Sequence, residues 1–329
     1  MTEKENMLRV YRHEKAEWTP IIYDCVQQIG YWSANECGLR GERVRENVAL
    51  DCFGVEWDLG HGAPVPVPGK YLLDDICDWR EVVKFPDVKS WDWEGMARVE
   101  LANYEPDRVL TYFDEQGCFD RLTQLMGFEN ALMALILEPD ECKAFFEAVA
   151  DYKIDVIDCV AKYMKPDVFC YTDDLAKADG LFMSPATYRE LIKPAHARII
   201  KAIRDRGMIA EQHTCGKCQD IIPDYVEIGI QCFFPAQASN DLVDIQKKYG
   251  DKLVIYGGFD SQGAPGLPDA DEETIRAEAR RCVETYAVNG GYICLPMIVG
   301  EVSSMTALEL DRQKWFYDEF KKTCAKYGV

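Results

Sequence analysis

The stretch Glu211-Gln-His-Thr-Cys-Gly-Lys-Cys218 sets an imidazole and a thiol two residues apart, His213 and Cys215. In extended backbone, residues i and i+2 point to the same side, so these two side chains can meet one cation. Imidazole with a soft thiolate suits Zn²⁺, and a catalytic zinc takes three protein ligands and keeps a fourth position open. Two cysteines compete for the third place. Cys294 closes the run Gly290-Gly-Tyr-Ile-Cys-Leu-Pro296, another predicted strand end, and is the favoured choice. Cys218 lies just beyond Cys215 and packs along the first turn if a helix begins at Gly216. The competing reading is a core histidine among ordinary buried thiols, which H-x-C alone does not exclude. A closed Cys₃His site that includes Cys218 would suit a non-catalytic, zinc-stabilised binding module.

These residues need elements to bring them together. From Pro139 onward the chain alternates. A helical stretch to Met164 is followed by short β-rich runs at 167–172, 208–213, 231–234, 253–256 and 291–294. Helical patterns lie between and after them, at 185–206, 218–228, 242–249, 272–288 and 308–327. Ser184-Pro185 opens one helix, Gly207 stops it, and Pro194 should kink it. Such alternation implies a parallel sheet covered by helices. No G-x-G-x-x-G follows a strand, so a dinucleotide fold lacks its best marker. Polar residues instead sit at successive strand ends: Asp173-Asp174, His213 to Cys215, Gln237, Asp260 and Cys294. A (β/α)8 TIM barrel gathers such positions around one mouth. The expected organisation is a single domain, 1–329. An irregular N-terminal elaboration with the first strands spans 1–105, and the main barrel spans 106–329.

Composition bounds the function. The chain has 329 residues, 37 Lys+Arg against 57 Asp+Glu, and a formal net charge of -20. That balance argues against nucleic acid and anionic membrane as partners. The charged N-terminus shows no apolar signal region, and the aliphatic run Ala131 to Leu137 is too short to span a bilayer. A cytoplasmic location follows as the expectation, and most of the 14 Cys are then expected to be reduced core residues. Of the 4 His, only His213 stands out. His13 and His196 read as surface or helix residues, and His61 sits in a Pro/Gly-rich loop.

Several further stretches carry a resemblance. Asp51-Cys-Phe-Gly-Val-Glu-Trp57, Tyr71-Leu-Leu-Asp-Asp-Ile-Cys-Asp-Trp79 with Phe85-Pro-Asp87, Asp173-Asp174 with Gly180 to Pro185, His213-Thr-Cys-Gly216 and Tyr256-Gly-Gly-Phe-Asp260 all fit one pattern. Together they resemble the uroporphyrinogen decarboxylase-like superfamily, and within it the zinc- and corrinoid-dependent methyltransferases. The resemblance implies a (β/α)8 barrel and a zinc site of His213, Cys215 and Cys294. It also implies a corrinoid (cobalamin) carried by a partner protein. The decarboxylase branch is disfavoured. Arg40, Arg43 and Arg45 are present, but the arginine motif that would bind a polycarboxylate is not recognisable, and the chain is acidic.

Two directions of methyl transfer are then open. Two thiolate ligands would cancel the metal's charge, giving a weak Lewis acid suited to holding a thiol such as coenzyme M as thiolate. Ether cleavage would need a general acid, for which Glu211, Asp173, Asp174 and Asp260 are candidates. Six of the seven Trp lie in the first hundred residues and could wall an aromatic substrate. The main expectation is therefore O-demethylation of a methoxylated aromatic compound, with the methyl passing to the cobalt. Thiol methylation is the alternative, and an oligomer is left open.

Overall fold

The computed structural model describes residues 1–30, 42–60, 64–297 and 306–329. Trp32, Arg40 and His61 fall outside them. Seven parallel strands form the main sheet: β1 (Val26–Ile29), β2 (Val109–Asp114), β3 (Val168–Thr172), β4 (Ile209–His213), β5 (Cys232–Ala236), β6 (Val254–Gly258) and β7 (Tyr292–Leu295). They pair in chain order. The two edges meet through a parallel bridge between Ile21 and Cys294, where the Cys294 N–H donates to the Pro20 carbonyl at 2.9 Å. The fold is a curled parallel sheet of the TIM-barrel class, as the alternation implied. The strands are buried on both faces and so read as continuous apolar runs.

Inside the barrel lie Val109, Phe113, Val168, Cys170, Cys232, Phe234, Tyr256 and Ile293. Helix α1 (Glu3–Tyr11) adds Met7, Val10 and Tyr11 to the same cluster. It is fixed by a capping box between Thr2 and Glu5. Outside the strands pack α2 (Cys118–Met126), α3 (Phe128–Leu137), α4 (Pro139–Tyr163), α5 (Lys193–Asp205), α6 (Ile222–Ile228), α7 (Leu242–Tyr249), α8 (Glu272–Thr285) and α9 (Ala307–Tyr327).

The helix expected over 185–206 is broken differently from a simple kink. A short α-turn (Pro185–Thr187) leads into a π-helical turn (Tyr188–Ile192), and α5 starts only at Lys193. Pro194 has no N–H and its ring clashes with a carbonyl one turn back, so the register widens just before it. The N-terminal part adds an antiparallel four-stranded sheet of Glu42–Arg45, Val48–Leu50, Glu56–Asp58 and Val65–Pro66. No described helix is long and apolar enough to cross a membrane.

Candidate active site

Strand β4 ends at His213, and its alternation decides which side chains enter the barrel. Glu211 and His213 face inward, as residues two apart must. The Thr214 hydroxyl donates to the Asp173 carbonyl at 2.8 Å, tying the strand end to its neighbour. Gly216 then turns the chain at φ +87°, where a Cβ would come within 2.6 Å of the Lys177 carbonyl oxygen. Only glycine fits that approach. The turn brings Cys215 back over His213, with Sγ 3.5 Å from Nε2.

A third donor closes the group. Asp174, just past the end of β3, accepts the Cys215 N–H on Oδ1 at 2.7 Å, and the same oxygen lies 3.9 Å from His213 Nε2. One ligand atom each from Asp174, His213 and Cys215 lies within 4.8 Å of the others. Burial lowers the His213 pKa, partly opposed by Asp174, so the imidazole favours its neutral, metal-competent form. Burial also pushes the Cys215 thiol up to about 12, with Asp174 and Asp120 adding to the effect. His213 Nδ1 is buried without a hydrogen-bond partner among the described residues. A carboxylate, an imidazole and a thiol converging on one point fit Zn²⁺, and one thiolate with one carboxylate balance its charge as two thiolates would.

The remaining expected residues lie elsewhere. Cys294 does not join His213 and Cys215. On β7 it is Ile293 that enters the barrel, so Cys294 faces the helices, beside Cys282 of α8 and Cys324 of α9. Cys218 is buried in the core, its N–H donating to the Asn240 side chain at 3.0 Å. Asp173 is fully buried. It accepts the Phe119 and Asp120 N–H groups at the start of α2 and pairs with His196 Nε2 at 2.8 Å. Cys118, Asp173 and His196 form a second metal-competent group, but all three are already engaged. Tyr171 donates to Cys118, and Tyr188 contacts the other His196 nitrogen. His196 is thus a core histidine that anchors α2. Glu211 lies deeper in the barrel, where Tyr11 donates to it at 2.8 Å and burial raises its pKa. Asp260 accepts the Gly263 N–H and shapes the loop after β6.

A cavity of about 720 Å³ opens above His213 and Asp174. Phe113 and Phe234 set their rings edge-on to the imidazole, with centroids 5.3 and 5.2 Å away. Trp57 supplies another wall. It is placed by the Asp51 loop: Asp51 accepts the N–H groups of Phe53 and Val55, each at 2.9 Å, and the Trp57 indole at 3.1 Å. Arg121 of α2 adds a buried ion pair to Asp51 at 2.6 Å. The D-x-F-G-V-x-W stretch is therefore a device for holding a tryptophan against the cavity. Trp93, by contrast, is core, with Trp79 and Trp91 packed against that core.

Sequence reading missed the part of the site that follows β2. Glu115, Gln116, Asp120, Thr123 and Gln124 all line the cavity. Asp120 accepts the Asp174 N–H at 3.1 Å. Burial, with Asp173 and Asp174 nearby, holds its carboxyl well above the usual carboxylate range. Gly117 lets α2 start so close, because a Cβ there would meet the Thr172 carbonyl oxygen at 2.5 Å. The signal was present in Asp114-Glu-Gln-Gly117, a polar strand end like the others. Asp120 and Gln124 also stand at i and i+4 on one helix face. Arg43 and Arg45 are exposed and do not line the cavity.

Residues 48–296 match the uroporphyrinogen decarboxylase (URO-D) family, and the chain belongs to it. It is similar to a methylated-thiol–coenzyme M methyltransferase of Methanosarcina mazei, at 22% identity over 285 residues, spanning 82% of this chain and 71% of the relative. A solved structure of a methyltransferase from Methanosarcina mazei superposes with a TM-score of 0.66 at 17% identity, covering 98% of this chain and 99% of the other. That likeness establishes the shared barrel.

Proposed function

We propose that this chain transfers a methyl group from the cobalt of a partner's corrinoid to a thiol, at a zinc site formed by Asp174, His213 and Cys215. The observation that carries the reading is the convergence of those three donors at the floor of the large cavity. The relative whose name includes a methylated thiol favours the thiol over a methoxylated aromatic as the substrate.

In the reaction the thiol gives up its proton, and its sulfur lone pair forms the new S–CH₃ bond. The Co–C bond breaks with its electron pair left on the metal, so methyl-Co(III) becomes Co(I). Zinc held at this site would supply a Lewis acid that stabilises the thiolate. The protein's own groups do the rest. Asp120, adjoining Asp174, takes the thiol proton on its carboxyl. Phe113 and Phe234 hold the imidazole in one orientation and keep water from its faces. The Cys215 N–H fixes the rotamer of Asp174. The open cavity above leaves room for a corrinoid face to approach.

The test is spectroscopic. The zinc-loaded protein is mixed with methyl-Co(III) corrinoid protein and a panel of thiols that includes 2-mercaptoethanol and coenzyme M. Loss of the methyl-Co(III) band only in the presence of a thiol supports the reading. If Co(I) corrinoid protein instead gains methyl from a guaiacol-type ether and no thiol reacts, the reading falls.

A further inference from the structure

Four glutamines line the cavity: Gln28, Gln116, Gln124 and Gln313. None of their amides makes a hydrogen bond among the described residues. Glutamines outside the lining behave differently. Gln27 and Gln246 donate to backbone carbonyls, and Gln231 and Gln237 accept backbone N–H groups. The idle amides are not a solvated fringe. Gln116 is 8% exposed and Gln124 7%, and Gln124 Oε1 is buried without a partner among the described residues, as is Thr172 Oγ1 in the same lining. Buried polar atoms of this kind call for a ligand that satisfies them. Gln116 carries a second, independent sign. Its backbone stands at φ +66°, a region that a residue with a Cβ seldom takes. Such departures gather at binding and catalytic sites.

The four amides form an arc. Gln28 is on β1, Gln116 follows β2, Gln124 is on α2, and Gln313 is on α9, which follows β7. Strand β7 closes onto the β1 edge through the Ile21–Cys294 bridge, so these elements are neighbours around the mouth. Asp174, His213 and Cys215 stand farther round, at the ends of β3 and β4. A thiol small enough to sit on a metal there presents one head group. Amides spread around three neighbouring strands call for a broader ligand with several neutral groups that donate and accept as they do. The edge of a natural corrin is such a surface, because primary amide arms surround its ring. We propose that Gln28, Gln116, Gln124 and Gln313 receive the amide-bearing edge of the corrin, so that the ring is recognised by its neutral periphery. This rests on the corrinoid reading above and adds what holds the ring.

The test titrates free corrinoids, without a carrier protein, into the zinc-loaded full chain by calorimetry. Methylcobinamide keeps the peripheral amides. The methyl-cobalt heptamethyl ester of cobyrinic acid has the same ring with esters in their place, which accept hydrogen bonds but donate none. The expected result is that methylcobinamide binds at least about tenfold more tightly than the ester, a gap of about 1.4 kcal/mol. Gln124→Met and Gln313→Met should each weaken methylcobinamide several-fold and leave the ester unchanged. Equal binding of the two corrinoids, or failure of both to bind, overturns the proposal. So does an unchanged preference in both variants. If N-acetylcysteamine, a thiol with an amide tail, loses affinity in Gln124→Met while methylcobinamide does not, the amides serve the thiol and the corrin proposal falls. Methyl transfer is read separately. If methylcobinamide is preferred but passes its methyl to no thiol, the amide contacts stand and the thiol reading fails. If both corrinoids bind equally and both methylate a thiol, the thiol reading stands without the amide contacts.

Discussion

At the scale of single residues, the site turns on which donors can reach one point. Asp174→Asn, His213→Ala and Cys215→Ser should each weaken zinc binding by about 10-fold or more, because each removes a ligand or its charge. Far-ultraviolet circular dichroism should remain that of the folded chain. Cys294→Ser should leave the zinc content unchanged in elemental analysis, since its sulfur lies in the helix-facing layer. Loss of zinc in that variant would mean that Cys294 reaches the site in a rearranged barrel. The closeness of His213 and Cys215 was legible because i, i+2 spacing at a strand end needs no long-range knowledge. Cys294 was misleading for the same reason. Its place at a strand end was read correctly, but which face it took depended on the phase of the alternation in β7, which a buried apolar run does not reveal. Asp174 was marked as a candidate acid and emerges as a candidate ligand, because only the folded turn at Gly216 shows what lies beside it.

At the scale of elements, one loop and one helix clamp do most of the positioning. The Asp51 loop gathers four donors onto one buried carboxylate. Asp51→Ala strips Arg121 of that partner and should cost about 3–5 kcal/mol in urea unfolding. It should also loosen Trp57, seen as a change in tryptophan fluorescence. The second device is Asp224 on α6. Its two oxygens share the Arg189 Nε–H, each at 3.0 Å, and Oδ1 also accepts from the Lys193 ammonium at 2.8 Å, clamping α6 to the π-turn and the start of α5. Burial opposes its ionisation, yet the hydrogen bonds from Arg189 and Lys193 prevail and leave its pKa below the usual range. A depressed carboxylate binds fewer protons in the folded state than in the unfolded one. Its contribution is therefore full above the unfolded pKa of about 4 and disappears as pH falls through the lower folded value. Asp224→Asn should lower the urea midpoint at neutral pH and flatten the loss of stability below about pH 4. An unchanged acid limb would show that the clamp contributes nothing. The Ser184 cap, the Gly207 stop and the strands from 167 onward were readable from local chemistry. The π-turn was not, since its cause is a clash between Pro194 and the preceding turn rather than a propensity.

At the scale of the whole molecule, α1 closes the end of the barrel opposite the cavity. Met7, Val10 and Tyr11 fill the interior there, and Tyr11 reaches Glu211 at the barrel's centre. Removing residues 1–12 should expose that interior, and the truncated chain should bind a hydrophobic dye and melt at a lower temperature. The milder Tyr11→Phe should cost about 1–3 kcal/mol, because it leaves the buried Glu211 carboxyl short of a donor. The sequence could not announce this role. An amphipathic nine-residue helix looks the same whether it covers a sheet or plugs a barrel.

The seam between the two sheet edges has a consequence for how the protein is born. Ile21 meets Cys294, and Tyr23 donates to the Pro296 carbonyl, so the first edge finds its partner almost a full chain length later. During synthesis the first strand must wait for most of the polypeptide to leave the ribosome, with its outer edge open to chance pairing. The residue singled out at first for its sulfur thus acts through its amide, as the latch that ends the exposure of a growing sheet.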